Sequence, residues 1–506
     1  MSDSKRIAKN TMFLYIRMFL TMGVSLYTSR VVLNALGVED YGIYSVVGGV
    51  ITLFAFFNSA MSSATQRFLA MDVGKKDWDG LRKTFNSALI VHIGIALLVF
   101  LIAETIGLWF VNNRLNLPPG RGDEANFVYQ FSIMASMIGI TQVPFNALII
   151  VRERMNVFAI ISVVEVILKL VVVYLLYLSD YDKLETYAVL LFILMLVITT
   201  IYKIYCLKNF KESSFKFFND KKFYKTLISY SGWNLFGNIA YVAKGQGTNM
   251  LLNVFFGTIV NAAYGIMMQV QNAVNSFVSN FQMAVNPQIY KNYAQGNLQQ
   301  MHKLMMQSSK FSYYLMFVLT CPVVFNVDYI LVWWLKNPPK YTAILVILAL
   351  INLLVDCISR PLGTGSLATG KMKWYQITVG SMLFLNLPLS YLAFRITNDP
   401  PTFLYIAIGI SVLTFIVRLI FLRKMVSLSI SIFTKEVVLP MFYITVVCLG
   451  VLYVLNFTIG HSDTFFKLVW ESILIVVISS IVIFIFGIKK SEKAMLYSMI
   501  SKKIGR

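Results

Sequence analysis

The sequence predicts an all-α polytopic membrane protein of about fourteen transmembrane helices, with both termini cytoplasmic. Three observations predict this: an apolar composition, apolar runs long enough to cross a bilayer, and a one-sided distribution of Lys and Arg. Of 506 residues, 58% are hydrophobic and 13% charged, and the mean hydropathy is +0.70. Soluble domains carry roughly 25% charged and about 45–50% apolar residues, so a cytosolic enzyme is excluded. A disordered chain needs the opposite balance and is excluded too.

A helix needs about 20 apolar residues to cross roughly 30 Å of hydrocarbon. The runs that meet this lie at 11–36, 41–66, 84–111, 125–150, 156–178, 185–206, 226–254, 259–289, 305–334, 341–362, 374–396, 402–422, 437–457 and 466–488. The seventh and eighth are unusually polar. The runs are too long and too unbroken for the alternating strands of a lipid-facing barrel.

The basic residues orient these spans. Of the 44 Lys and Arg, 33 fall on the N-terminal side, seven on the opposite side and four inside spans. Cytoplasmic loops carry such an excess, and one miscounted span would exchange the sides of every later loop. Most of the net charge of +21 is therefore a topology signal, and no nucleic-acid partner is expected. The first apolar stretch holds Arg17 and Arg30 and has no small-residue cleavage site, so it reads as a span rather than a signal peptide. Cys206, Cys321, Cys357 and Cys448 form no metal or disulfide pattern. The longest loop, 207–225, is too short for a catalytic domain, so the chain is not expected to be an enzyme.

The spans divide as six, six and two. Asn34, Tyr41-Gly42, Gln66 and Gly74 find counterparts in Asn253, Tyr264-Gly265, Gln288 and Gly296, at a constant offset of 222–223 from the Tyr-Gly pair onward. This predicts an N-terminal six-helix half over 1–210, a C-terminal half over 211–430, and two extra helices with a basic tail over 431–506. Six is even, so the halves share one orientation, and substrate is expected between them, as in alternating-access carriers.

Ionisable groups inside spans cost about 2.5–3.5 kcal/mol each and default to functional candidates. Arg17 and Arg30 lie on span one, and Lys244 on span seven, its repeat counterpart. Arg17 is within two turns of the cytoplasmic end, where snorkelling to headgroups competes with lining a cavity. Spans one, two, seven and eight also concentrate amides and hydroxyls. From these come Asn34, Gln66, Asn249, Gln271 and Asn275 as candidate substrate contacts, against a bland alternative of interhelical hydrogen bonding. Glu165 and Lys169 at i, i+4 are expected to neutralise each other. Asp356 and Glu165 are the candidates for ion coupling, with Arg360 a competing partner for Asp356. Gly365-Ser-Leu-Ala-Thr-Gly370-Lys371-Met372 mimics a phosphate loop, but Met372 replaces the required Ser or Thr and no strand precedes it.

Asn10–Tyr44 (N-T-M-F-L-Y-I-R-M … T-S-R-V-V-L-N-A-L-G-V-E-D-Y-G-I-Y) and Ser59–Phe68 (S-A-M-S-S-A-T-Q-R-F) resemble bacterial polysaccharide-biosynthesis flippases. These are the O-antigen-type members of the multidrug/oligosaccharidyl-lipid/polysaccharide exporter superfamily. The resemblance implies a bacterial inner-membrane protein that flips an undecaprenyl-diphosphate-linked oligosaccharide to the outer leaflet, alongside other polysaccharide-assembly proteins. It implies a diphosphate met by Arg17, Arg30 and Lys244, and no cofactor, with coupling to protons or sodium open. Multidrug exporters of the superfamily carry acids on span one or seven, where this chain carries cations. A flippase for the lipid-linked peptidoglycan precursor is the alternative, and a cation-coupled drug exporter ranks below it.

Overall fold

Without water to satisfy backbone groups, apolar runs of this length must bond internally. The fold accordingly contains helices, turns and no strand among the described residues. It is seen in a computed structural model that describes residues 3–52, 55–114, 120–459, 464–489 and 492–493. The first part holds α1 (Asp3–Thr52), α2 (Ala55–Lys75), α3 (Trp78–Ile102), a π-turn (Ala103–Gly107), α4 (Leu108–Arg114), α5 (Gly122–Val151), α6 (Met155–Leu178) and α7 (Lys183–Asn209). A 3-10 turn (Lys211–Ser213) leads to α8 (Lys221–Ala294), α9 (Leu298–Phe325), α10 (Val327–Leu335), α11 (Thr342–Thr369), α12 (Lys373–Phe384), α13 (Asn386–Thr397) and α14 (Thr402–Val426). Then come α15 (Ile430–Phe433), a π-turn (Thr434–Val438), α16 (Leu439–Ile459), α17 (Phe465–Val482) and a last π-turn (Ile483–Gly487).

Ten described segments are long and apolar enough to cross a membrane. They coincide with the third to sixth and ninth to fourteenth expected spans. The other four expected spans fall on α1, α2 and α8. The helices α1 and α8 are each long enough for two crossings, and side-chain contacts show where each turns back. In α8, Gly257 has φ 75° and ψ −169°, a conformation essentially restricted to glycine. Across this break the Asn261 amide donates to the Asn249 backbone (2.9 Å) and side-chain (2.6 Å) oxygens. The Tyr264 hydroxyl likewise donates to the Gly245 carbonyl (3.0 Å). Twelve residues of straight helix span about 18 Å, so 221–256 and 258–294 are two arms of a hairpin.

The helical assignment of α1 is continuous, although a break near 37–40 is expected from the sequence. Asp40 meets Arg121, at the cap of α5. Val32 and Leu36 pack with Leu176, while Ile43 and Val47 share a cluster with Val128, Tyr129 and Ile133. Both stretches thus lie inward of the level of Asp40, so the chain reverses there.

The chain forms two compact bodies, Ile7–Asn238 and Met1–Arg6 with Ile239–Arg506. In the first, α5 is the central helix, packed on α2, α3, α6 and α7. Its Tyr129 hydroxyl donates to the Ala103 carbonyl in the π-turn (2.8 Å). A Cβ at Gly107 would sit 2.0 Å from that hydroxyl, so only glycine fits this close approach. At the end carrying the Asp40 turn, Arg121 donates to Asp40 (3.0 Å), Asp182 (2.8 Å) and Glu124 (3.1 Å). The Asp40 and Asp182 hydrogen bonds raise the pKa of Arg121. Burial alone would raise that of Asp182, but the Arg121 hydrogen bond and the Glu185 and Leu184 backbone N–H groups outweigh it and hold the carboxyl below its usual range.

In the second body α11 packs on α9 and α14, and α16 and α17 dock on α9. This docking ends in a buried ion pair. Lys310 Nζ on α9 donates to both carboxylate oxygens of Glu492 at 2.7 Å, and the side chains are 4% and 8% exposed. Isolated, either charge would be strongly unfavourable at this depth; together they tie the C-terminal segment to α9.

Candidate functional site

In the first body the guanidinium of Arg17 lies 4.5 Å from the centroid of the Phe158 ring, within the electrostatic reach of Tyr202 and Glu165. Its Nε is buried without a hydrogen-bond partner. Arg17 therefore faces α6 and α7, and part of its donor capacity is unspent. Glu165 accepts from Lys169 at 2.7 Å, the i, i+4 pairing expected from the sequence. Gln66 donates to Ser62 (3.2 Å) on the same helix, leaving its carbonyl oxygen for other partners. The side chains of Arg30 and Asn34 lie outside the described residues.

In the second body Lys244 is half-buried on the first arm of α8, and its ammonium is within electrostatic reach of Asp356 on α11. The Asp356 carboxylate accepts a long hydrogen bond from Asn352 (3.4 Å). The geometry thus brings together one predicted cation and one predicted coupling acid. Asn249 is spent on the hairpin clasp with Asn261. On the second arm, Asn275 Oδ1 is buried and unpartnered, and Gln271 is half-buried beside it. Much of the polar crowd on this arm serves interhelical bonding: Gln282 donates to Ser312 (2.9 Å) and to the Cys357 carbonyl (3.1 Å), and Asn286 accepts from Thr364 (3.2 Å).

Sequence reasoning missed the clamp on the linker after α7. Asn86, fully buried on α3, donates to the carbonyls of Glu212 (3.4 Å) and Ser214 (3.2 Å) and accepts from the Lys216 N–H (2.9 Å). Arg152 pairs with Glu212 and stacks 4.5 Å above Trp78; Lys83 pairs with Asp220 at 2.5 Å. The basic residues here read as topology signals. A buried Asn in a helix interior was the available hint, since helix propensity gives no reason for one.

Residues 7–293 match the family model described as "Polysaccharide biosynthesis protein". No curated protein matches. Among solved structures, an outward-facing multidrug resistance MATE family transporter of the MOP superfamily superposes with a TM-score of 0.69 at 13% identity, covering 83% of this chain and 96% of that one. A MATE transporter in the bent conformation gives 0.72 at 13%, with 84% and 96% covered. A MOP superfamily transporter from Pyrococcus furiosus Vc1, described as having a binding pocket of reverse polarity, gives 0.65 at 14%, with 83% and 96% covered. At these identities the likeness establishes the fold alone.

Proposed function

The chain belongs to the polysaccharide biosynthesis protein family, and on that premise we propose that it flips an undecaprenyl-diphosphate-linked oligosaccharide from the cytoplasmic to the outer leaflet of a bacterial inner membrane. One observation carries the choice of cargo. Spans 11–36 and 226–254 contain no carboxylate and hold Arg17, Arg30 and Lys244. A mid-span cation costs about 2.5–3.5 kcal/mol to insert, which a diphosphate offsets and a cationic drug does not. Amides such as Gln271 and Asn275 suit the hydroxyls of a sugar. The duplicated six-helix pattern supports alternating access as the mechanism. Glu165 is held in an ion pair with Lys169 at 2.7 Å, whereas Asp356 accepts only a long hydrogen bond from Asn352, and this contrast favours Asp356 as the coupling carboxylate.

The test is flipping of a lipid-diphosphate-linked oligosaccharide in proteoliposomes, comparing wild type with Arg30→Ala and Lys244→Ala. We expect at least about a tenfold loss in each, equivalent to 1.4 kcal/mol or more of transition-state stabilisation, with insertion and folding intact. Normal transport in both variants would remove these residues from the site. A wild type that moves no such lipid but exports a cationic dye would replace the flippase assignment with drug export.

A further inference from the structure

We infer that the second body carries a phosphate-binding site separate from any transport pathway, at the end of α9 where the C-terminal segment docks. A cavity of about 650 Å³ opens there, within the range of about 300–1,000 Å³ typical of small-ligand sites. Its floor comes from the first turns of α9 and its walls from the segments around Glu436 and Glu492. Three lysines and two glutamates line it, namely Lys303, Lys310, Lys489, Glu436 and Glu492.

The disposition of these charges selects the ligand. Glu492 spends both oxygens on buried Lys310 and accepts the Lys489 N–H (2.9 Å). Glu436 pairs with the Lys489 ammonium at 2.7 Å. Both carboxylates are thus neutralised within the wall. Lys303 remains, exposed and with no ion pair among the described residues. The amides of Gln300 and Gln307 face the same cavity and make no side-chain hydrogen bond among the described residues. One uncompensated ammonium flanked by amide donors suits a single phosphate rather than a cation or a sugar. Basic pockets among membrane helices on the cytoplasmic side commonly hold anionic headgroups, and a phosphorylated solute presents the same chemistry.

The experiment uses the full chain in detergent and phosphate-free buffer, followed by thermal unfolding. The probes are inorganic phosphate, phosphatidylglycerol in mixed micelles, and phosphatidylcholine in the same micelles. The variants are Lys303→Gln, an exposed position where folding is retained, and Lys371→Gln, a basic residue outside the cavity. The expected result is stabilisation by phosphatidylglycerol over phosphatidylcholine, with the apparent affinity at least about fivefold weaker in Lys303→Gln and unchanged in Lys371→Gln. Stabilisation by inorganic phosphate with the same dependence on Lys303 assigns a soluble phosphate, and dependence on the lipid alone assigns a headgroup. No stabilisation by either anion, or equal losses in the two variants, overturns the site. Transport is not the readout, so either result leaves the flippase assignment where it stands.

Discussion

At the scale of the residue, burial of charge decides most of what is informative. Asp72, on α2 beyond the expected second span, accepts from the Thr84 hydroxyl at 2.6 Å. Burial pushes its carboxyl up to about 6 from 3.8, more than the Thr84 hydrogen bond, Lys75 and Arg67 can offset, and Asp77 adds to the rise. A carboxyl whose folded pKa exceeds its unfolded value destabilises the ionised protein. The penalty is full above about pH 6 and disappears as pH falls toward 3.8. Asp72→Asn is therefore expected to raise the unfolding midpoint at pH 7.5, with a gain that shrinks by more than half at pH 4.5. A melting series across that range checks it, and a variant less stable than wild type at pH 7.5 would show that the ionised carboxylate is needed. None of this was legible in the sequence, where Asp72 is one acid among basic neighbours and Thr84 lies twelve residues away on another helix.

The element scale separates what periodicity and hydropathy reveal from what only packing reveals. Ten helices stand out by length and apolarity because those two properties are local. The polar arms of α1, α2 and α8 fall on expected spans but below the hydropathy of the other ten, and the gap expected between the seventh and eighth spans, 255–258, contains the break at Gly257. Partners far apart in sequence were invisible: Lys310 and Glu492 are separated by 182 positions. Of the candidate site residues, the Glu165–Lys169 pair was legible because i, i+4 spacing is a local rule. The role of Asn249 was not, because its partner Asn261 meets it only after the chain reverses. The linker clamp is the element-scale case with a direct consequence. Asn86 alone satisfies three backbone groups of the 212–216 segment, and a buried backbone group left unpaired costs about 1–3 kcal/mol. In Asn86→Ala the segment is expected to open at least tenfold more often, freeing its backbone for tryptic cleavage at Lys211, Lys216, Lys221 and Lys222, whose side chains are already exposed. Limited proteolysis of protein in detergent reads this directly. Cleavage no faster than wild type would mean that Arg152 and Lys83 hold the linker without Asn86.

For the whole molecule, the open quantity is the parity of crossings through the polar helices. Lys76 and Lys371 are exposed at loops expected on the cytoplasmic side, whereas Tyr181 and Asn398 are exposed at loops expected outside. Between Tyr181 and Asn398 lie six expected spans, two of which are the arms of α8. The clasps across Gly257 show that α8 doubles back, so the arms cross as a pair and leave parity even. Cys206, Cys321, Cys357 and Cys448 are all buried and unbridged, so background labelling is low and single introduced cysteines report cleanly. Tyr181→Cys and Asn398→Cys are expected to react with a membrane-impermeant maleimide in intact spheroplasts. Lys76→Cys and Lys371→Cys should react only after permeabilisation. Reaction of Tyr181→Cys but not Asn398→Cys from outside would mean that an odd number of spans separates them. Either α8 would then cross once rather than twice, or one neighbouring helix would lie outside the bilayer. In either case the loops after that point would carry their lysines to the wrong side, against the charge bias that orients the rest of the chain. Agreement at all four positions establishes even parity through α8 and places Lys244, by its position on the first arm, between the two membrane faces.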